Sequence, residues 1–241
     1  MDAIKNFPTE VIELPSKGLV YPESNPLSSG KIEMKYMTAK EEDILTNQSY
    51  IQKGIVLDKL LQSLIVSKID YNDLVVGDKN AIMVAARVLG YGKDYTFEYN
   101  GTEYTVDLSK IDNKPFDISN KGINEFNYTL LSTGVNITYK ILTHGDEQKI
   151  QAEIEGYKKI NKNASIDIST RLKYLITSVG GDRDPKTIRE FVDNHLLARD
   201  SRELRKHIRN TQPDVDLTFF PDGNTDRVDI PVGVKFFWPD F

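Results

Sequence analysis

Apolar positions along this chain recur at two different periods, and each period marks its own part of the sequence. Ile55, Val56, Leu57, Leu60, Leu61 and Leu64 fall three and four residues apart, the spacing that gathers side chains on one face of a helix. Ala81, Val84, Ala85 and Val88 give a second helix a small-residue face, and Gly90 and Gly92 stop it. Elsewhere apolar and polar positions alternate in twos. The stretch "YTFEYNGTEYTVDL" is a pair of alternating runs about Asn100-Gly101, a dipeptide suited to a two-residue hairpin with positive φ at both positions. "EFNYTLLSTGVNITYKIL" reads as a second hairpin, and "DVDLTFFPDGNTDRVDIPVGVKFFW" as a third with Pro221-Asp222-Gly223-Asn224 at its turn.

Start signals sharpen the helices. Thr38-Ala39-Lys40-Glu41 has the form of a capping box, in which Glu41 reaches back to the Thr38 amide. The same device is read at Thr143-His144-Gly145-Asp146 and, with an acidic cap, at Asp200-Ser201-Arg202-Glu203. At Asp184-Pro185 the cap precedes a proline at the first helical position. Together these predict helices over 39–48, 55–67, 78–89, 145–161, 168–179, 185–195 and 200–210. The fold class expected is α+β: a mostly helical body with a small antiparallel β section built from hairpins, ribbon-like but metal-free, preceded by an extended N-terminal arm.

That arm covers 1–37. Pro15, Pro22 and Pro26 lack the amide proton that a helix or an inner strand requires. Val11, Ile12, Leu14, Leu19, Val20 and Tyr21 are nevertheless too apolar for a solvated linker, so the arm is expected to lie across something, either its own body or a partner. Behind it the order reads as a helical region over 38–92, a hairpin region over 93–142, a second helical region over 143–212, and a hairpin with an aromatic tail over 213–241 that packs on 93–108.

Composition narrows the function more than it defines it. A length of 241 residues with 39% apolar content suits one large domain or two modest ones. Subtracting 36 acidic from 31 basic residues leaves −5, so nucleic acid and anionic membrane would need a local basic patch. Cysteine is absent, which excludes disulfides, thiolate nucleophiles and cysteine-bound zinc from this polypeptide. No segment approaches the ~20 apolar residues of a membrane span, and "MDAIKNFPTEVIELP" does not resemble a signal peptide, so a soluble, cytoplasmically made protein is expected.

No catalytic constellation stands out. His144, His195 and His207 are the only histidines and show no HExxH spacing. Gly90-Tyr91-Gly92-Lys93-Asp94 follows a helix and lacks the Ser or Thr of a phosphate loop, and Ser29-Gly30-Lys31-Ile32 fails on the same point. Glu41, Glu42 and Asp43 lie in the first turn of a helix, where the macrodipole accounts for them. The reading is therefore not an enzyme, with no cofactor, no metal and no small-molecule substrate. Two surface features remain. Arg199, Arg202, Arg205, Lys206 and Arg209 recur at helical spacing and could grip phosphates, although no aromatic side chains interleave with them and nearby acids could pair with them. The C-terminal "FFWPDF" places four aromatics in six residues, an anchor for a partner wherever it is exposed.

Several stretches in order resemble the T-even phage baseplate family, small tail proteins that include baseplate hub components and hub assembly factors. "LPSKGLVYP" with "MTAKEEDIL" is similar to its N-terminal signature, "LTHGDEQKI" to its middle helix start, and "ARDSRELRKHI" with "PDVDL" and "FFWPD" to its C-terminal signature. Relatives often carry cysteine pairs in the hairpin after the third helix and in the last hairpin, arranged like a zinc ribbon, whereas this chain reads "FEYNGTEYT" and "TFFPDGNTDRVD" there. If those hairpins pair, Phe97, Tyr99, Phe219 and Phe220 must replace the metal. The resemblance implies a tail or baseplate hub protein, retained in the virion or acting in the host cytoplasm as a chaperone-like assembly factor, whose partners are other phage tail proteins. The partner-binding residues expected on that basis are Leu14, Pro15, Lys17, Leu19 and Tyr21 in the arm, Arg202 and Arg209 on the basic stripe, and Phe237 and Trp238 at the aromatic terminus. A nucleic-acid-binding module using the stripe at 199–209 is the alternative.

Overall fold

The computed structural model describes residues 8–161, 165–222, 226–232 and 236–238. The chain is α+β, and its buried side chains fall into two hydrophobic cores.

The first core begins with the segment expected to form an extended arm. Strand β1 (Thr9–Glu13) pairs antiparallel with β2 (Lys31–Lys35), Thr9 opposite Lys35 and Glu13 opposite Lys31. The prolines and glycines between them form a tight loop that turns inward. Leu14, Val20, Tyr21 and Leu27 are all buried, with Leu27 wholly inaccessible. Of the two alternatives open to this segment, it lies across its own body.

Helices α1 (Ala39–Leu45), α2 (Gln48–Gln52), α3 (Val56–Leu64) and α4 (Val76–Tyr91) follow. Glu41 accepts from the Thr38 amide at 3.0 Å and from its hydroxyl at 2.6 Å, fixing the start of α1. The single helix predicted over 39–48 is interrupted at Thr46, because Asn47 caps a new helix by accepting from the Tyr50 amide. Strands β3 (Asp94–Tyr99) and β4 (Thr102–Asp107) form the first hairpin about Asn100 (φ 50°) and Gly101 (φ 79°), the conformation this dipeptide suits.

The second core is built from the middle of the chain. Strands β5 (Phe126–Thr129), β6 (Asn136–Tyr139) and β7 (Ile176–Val179) make a three-stranded antiparallel sheet in that order. Helices α5 (His144–Ile160), α6 (Asp167–Leu175), α7 (Pro185–Asn194) and α8 (Ala198–Thr211) pack around it. The caps at Thr143 and at Asp184 form as read, with Thr143 Oγ1 accepting from the Asp146 amide and Asp184 from the Lys186 amide.

Two expectations fail here. The helix predicted over 168–179 stops at Leu175, and Ile176-Thr177-Ser178-Val179 is strand. Branched side chains suit the pleat, and pairing with β6 places the Thr138 hydroxyl 2.7 Å from both the Thr177 and Ser178 hydroxyls. Asp200 does not cap α8, which begins at Ala198. Its buried carboxylate instead accepts from the Ser132 amide at 2.7 Å and the Thr133 hydroxyl at 3.2 Å, tying the β5–β6 turn to the first turn of α8.

The chain returns to the first core after α8. The short strands β8 (Thr218–Phe219) and β9 (Val228–Asp229) pair antiparallel, and the Gly223-Asn224 half of the predicted turn lies outside the described residues. Phe219 meets Phe97, Tyr104 and Tyr99 at centroid distances of 4.9, 5.1 and 5.7 Å. Tyr95 meets Phe236 at 5.0 Å and donates from its hydroxyl to the Pro231 carbonyl at 2.7 Å. Phe220, expected in this cluster, is turned outward and exposed beneath Arg227.

The two cores meet along the start of α4. The Val76 amide donates to the Leu142 carbonyl and the His144 amide to the Leu74 carbonyl. A β-carbon on Gly77 would lie 1.8 Å from the Pro213 carbonyl oxygen, so only glycine permits this approach.

Candidate interaction surface

Four polar or aromatic constellations were assembled from residues far apart in sequence. The first lies under "LPSKGLVYP". Asp78, in the first turn of α4, is wholly buried and accepts from the Ser16 amide (2.9 Å), the Ser16 hydroxyl (2.7 Å) and the Tyr21 hydroxyl (2.6 Å). The Tyr21 oxygen in turn accepts from the Val75 amide at 3.0 Å. Burial pushes the Asp78 carboxyl up, while the donors from Ser16 and Tyr21 oppose it; burial and the neighbouring Asp78 keep the Tyr21 phenol protonated.

Loop geometry makes this possible. Lys17 and Gly18 are both left-handed, at φ 52° and 76°, and a β-carbon on Gly18 would lie 2.2 Å from the Ser28 carbonyl oxygen. Leu14, Pro15 and Tyr21, expected as partner anchors, are therefore interior residues. Leu19 is half-buried against the same core, and Lys17 is exposed but spends its ammonium on the Phe116 carbonyl at 3.1 Å.

The aromatic terminus, where Phe237 and Trp238 were expected to bind a partner, is also drawn inward. Phe236 and Phe237 are buried, and Trp238 is half-buried with its indole N–H donating to the Leu45 carbonyl at 3.3 Å. An apolar terminus of a chain with room in its first core is drawn into that core, because burying each large aromatic side chain is worth roughly 2–3 kcal/mol.

The third constellation joins the cores around His144. Lys79 Nζ lies 2.5 Å from Asp58 Oδ1 and 3.3 Å from His144 Nδ1. Tyr71 donates to Asp58 at 3.0 Å, its ring edge meets the imidazole at 4.6 Å, and Gln148 Nε2 is 3.0 Å from His144 Nε2. Burial, with Lys79 second, pushes the His144 pKa down, so the ring is neutral at pH 7. Lys79, Asp58, Tyr71, His144 and Gln148 are each held by another member of the cluster, and Tyr71 also borders a hollow of about 360 Å³. Among the described residues no group of three or more His, Cys, Asp or Glu is arranged to hold a metal ion, and no helix is long and apolar enough to cross a membrane.

The fourth constellation is the exposed side of α8. Arg202 and Arg209 are exposed as expected, Arg202 within 3.4 Å of Glu203. Arg205 donates to the Ser201 carbonyl, and no carboxylate lies within ion-pairing distance of Arg199, Arg205, Lys206 or Arg209 among the described residues. Arg205 and Arg209 reach, with Arg171 of α6, into a cleft of about 380 Å³ whose floor includes Leu142, Leu175 and Ile208. A second cleft, of about 370 Å³, lies between α8 and the 116–127 segment and holds Tyr139 and His207, hydrogen-bonded to each other at 3.1 Å.

Sequence reading did not find Asp78, Asp58, Lys79 or Arg171. Asp78 looks like any acid in a first helical turn, and nothing local marks a partner 62 positions away. The spacing of Arg205 with Arg209 was visible, whereas their convergence with Arg171 depends on how α6 packs. Comparison of the chain with protein-family models, with curated proteins and with solved structures returns no match.

Proposed function

We propose that this chain is a bacteriophage tail baseplate hub protein, a structural component or assembly factor that acts through protein–protein contacts in virion tail assembly and performs no chemistry of its own. The reading rests on the ordered resemblance of "LPSKGLVYP", "MTAKEEDIL", "LTHGDEQKI", "ARDSRELRKHI" and "FFWPD" to that family. The observation that carries it furthest is the contrast in how polar groups are used. The polar groups around Asp78 and His144 are turned on one another, while the α8 face offers Arg205 and Arg209, with no carboxylate in ion-pairing distance among the described residues, beside apolar side chains. Closed polar clusters hold a fold together; open ones of this composition suit a protein interface.

Mass spectrometry of purified particles and of infected-cell lysate tests the reading. Stoichiometric peptides in particles mark a structural component, and peptides confined to lysate in complexes with hub proteins mark an assembly factor. Absence from both removes the proposal. The basic stripe on α8 also favours a second reading, a nucleic-acid-binding module. It requires salt-sensitive retention on duplex DNA that is lost in Arg202→Glu/Arg209→Glu.

A further inference from the structure

We infer that the cleft between α6 and α8 is a docking site for an acidic, amphipathic helix of a partner protein; this rests on the assembly reading and gives it a surface. Three observations support it. First, the cleft joins an apolar floor, including Leu175 and Ile208, to a guanidinium rim. Arg171 is already paired with Glu147, but Arg205 and Arg209 line the cleft with no carboxylate in ion-pairing distance among the described residues. Charge left uncompensated beside apolar surface is complementary to carboxylates that flank an apolar side chain.

Second, the cleft does not stand alone. Ile168 on α6 is 52% exposed and borders both this cleft and a neighbouring hollow of about 300 Å³ walled by Leu172, Val192 and Leu196. On α8 the hollow is lined by Ser201 and the cleft by Ile208. Seven residues of helix rise about 10.5 Å, the separation of positions i and i+7 on a partner helix, so two apolar anchors two turns apart match two depressions.

Third, the lining disfavours a nucleic-acid strand. No aromatic ring lines either depression to stack a base, whereas both depressions offer apolar side chains that an amphipathic helix can cover.

The test uses the full-length purified chain and a fluorescein-labelled model helix of about 18 residues, with leucines at i, i+3, i+4 and i+7 flanked by glutamates. Controls replace the glutamates by glutamine or the leucines by serine, and duplex DNA of similar length is the third probe. Fluorescence anisotropy is expected to show saturable binding of the acidic leucine helix, about tenfold weaker binding of the glutamine version, and none of the serine version. Arg209→Glu is expected to weaken binding about tenfold, and Ile168→Ser to weaken it as well. Both positions are exposed, and circular dichroism with thermal melts confirms the fold; Arg209→Gln repeats the test without charge reversal.

Failure of the acidic helix to bind, binding indifferent to Arg209→Glu, or tighter binding of duplex DNA that Arg209→Glu abolishes each overturns the inference. The two readings fail separately. A chain found in particles that ignores the acidic helix keeps the assembly role and loses this surface; a chain that binds the helix but is absent from particles and hub complexes does the reverse.

Discussion

The two ends of the chain and the α8 face were the three places from which partner contacts were expected, and the molecule treats them oppositely. The described segments near the two ends belong to the first core: Leu14, Tyr21, Phe236 and Phe237 are each 5% exposed or less. The α8 face borders the second core but keeps its arginines outside it, with only Leu204 and Ile208 of its apolar residues turned in. The difference teaches that apolar character in a segment is not a signal of intermolecular binding. A segment binds elsewhere only if its own body leaves no room for it, and burial within the chain carries no cost in association entropy.

The contrast can be broken hardest at the C-terminus. Phe236→Ala should destabilise the protein by about 3–5 kcal/mol, since the ring is wholly buried against Tyr95 and Phe237. Urea unfolding followed by tryptophan fluorescence measures this directly, and a loss of well under 1 kcal/mol would mean that the terminus is not part of the core.

Next in size is Asp78→Ala, which leaves the Ser16 amide and the Ser16 and Tyr21 hydroxyls without their acceptor. A cost of about 3 kcal/mol is expected, because buried donors lose both partner and water. Tyr21→Phe should cost less, about 1–2 kcal/mol, and the double variant should cost less than the sum, because both changes remove one shared bond. Additive losses in urea unfolding would contradict the shared network.

Acid sharpens the comparison from the other side. Arg183 holds the Glu125 carboxyl below its ordinary value, and Arg189 does the same for Glu153. Because the folded pKa lies below the unfolded one, this contribution is complete above about pH 4.3 and is lost as pH falls through the folded value. Melting temperature should therefore fall on acidification below about pH 4, and less steeply in Glu153→Gln. An identical slope in the variant would remove Glu153 from the account.

The smallest expected effect is on the α8 face. Arg209→Glu should change stability by no more than about 0.5 kcal/mol, since the side chain is exposed and makes no ion pair among the described residues. A stability loss comparable to Asp78→Ala would show that the stripe belongs to the fold and is not a surface held for a partner.

Local features were legible wherever the deciding interaction spans a few residues. The Thr38, Thr143 and Asp184 caps, the Asn100-Gly101 hairpin and the helical face of Leu60, Leu61 and Leu64 all depend on neighbours within one or two turns, and each is found where the pattern puts it. Segments with two locally acceptable states were not legible. Ile176–Val179 continues a helical pattern as readily as it makes a strand, and β6, some 40 positions away, decides the matter. Asp200 offers its carboxylate equally to its own helix and to a turn, and the Ser132 amide takes it.

By itself, then, the sequence determined the mixed α+β character, most helix starts, the hairpin turns and the absence of thiolate chemistry, because capping, backbone preference and composition act over short range. Only the tertiary structure decided that the proline-rich segment folds inward onto Asp78, that the aromatic terminus completes the first core, and that Arg171 joins Arg205 and Arg209 around one cleft. Those outcomes depend on which apolar and charged surfaces meet after the elements form, and burial energy carries no record in any one segment of where its partner will come from.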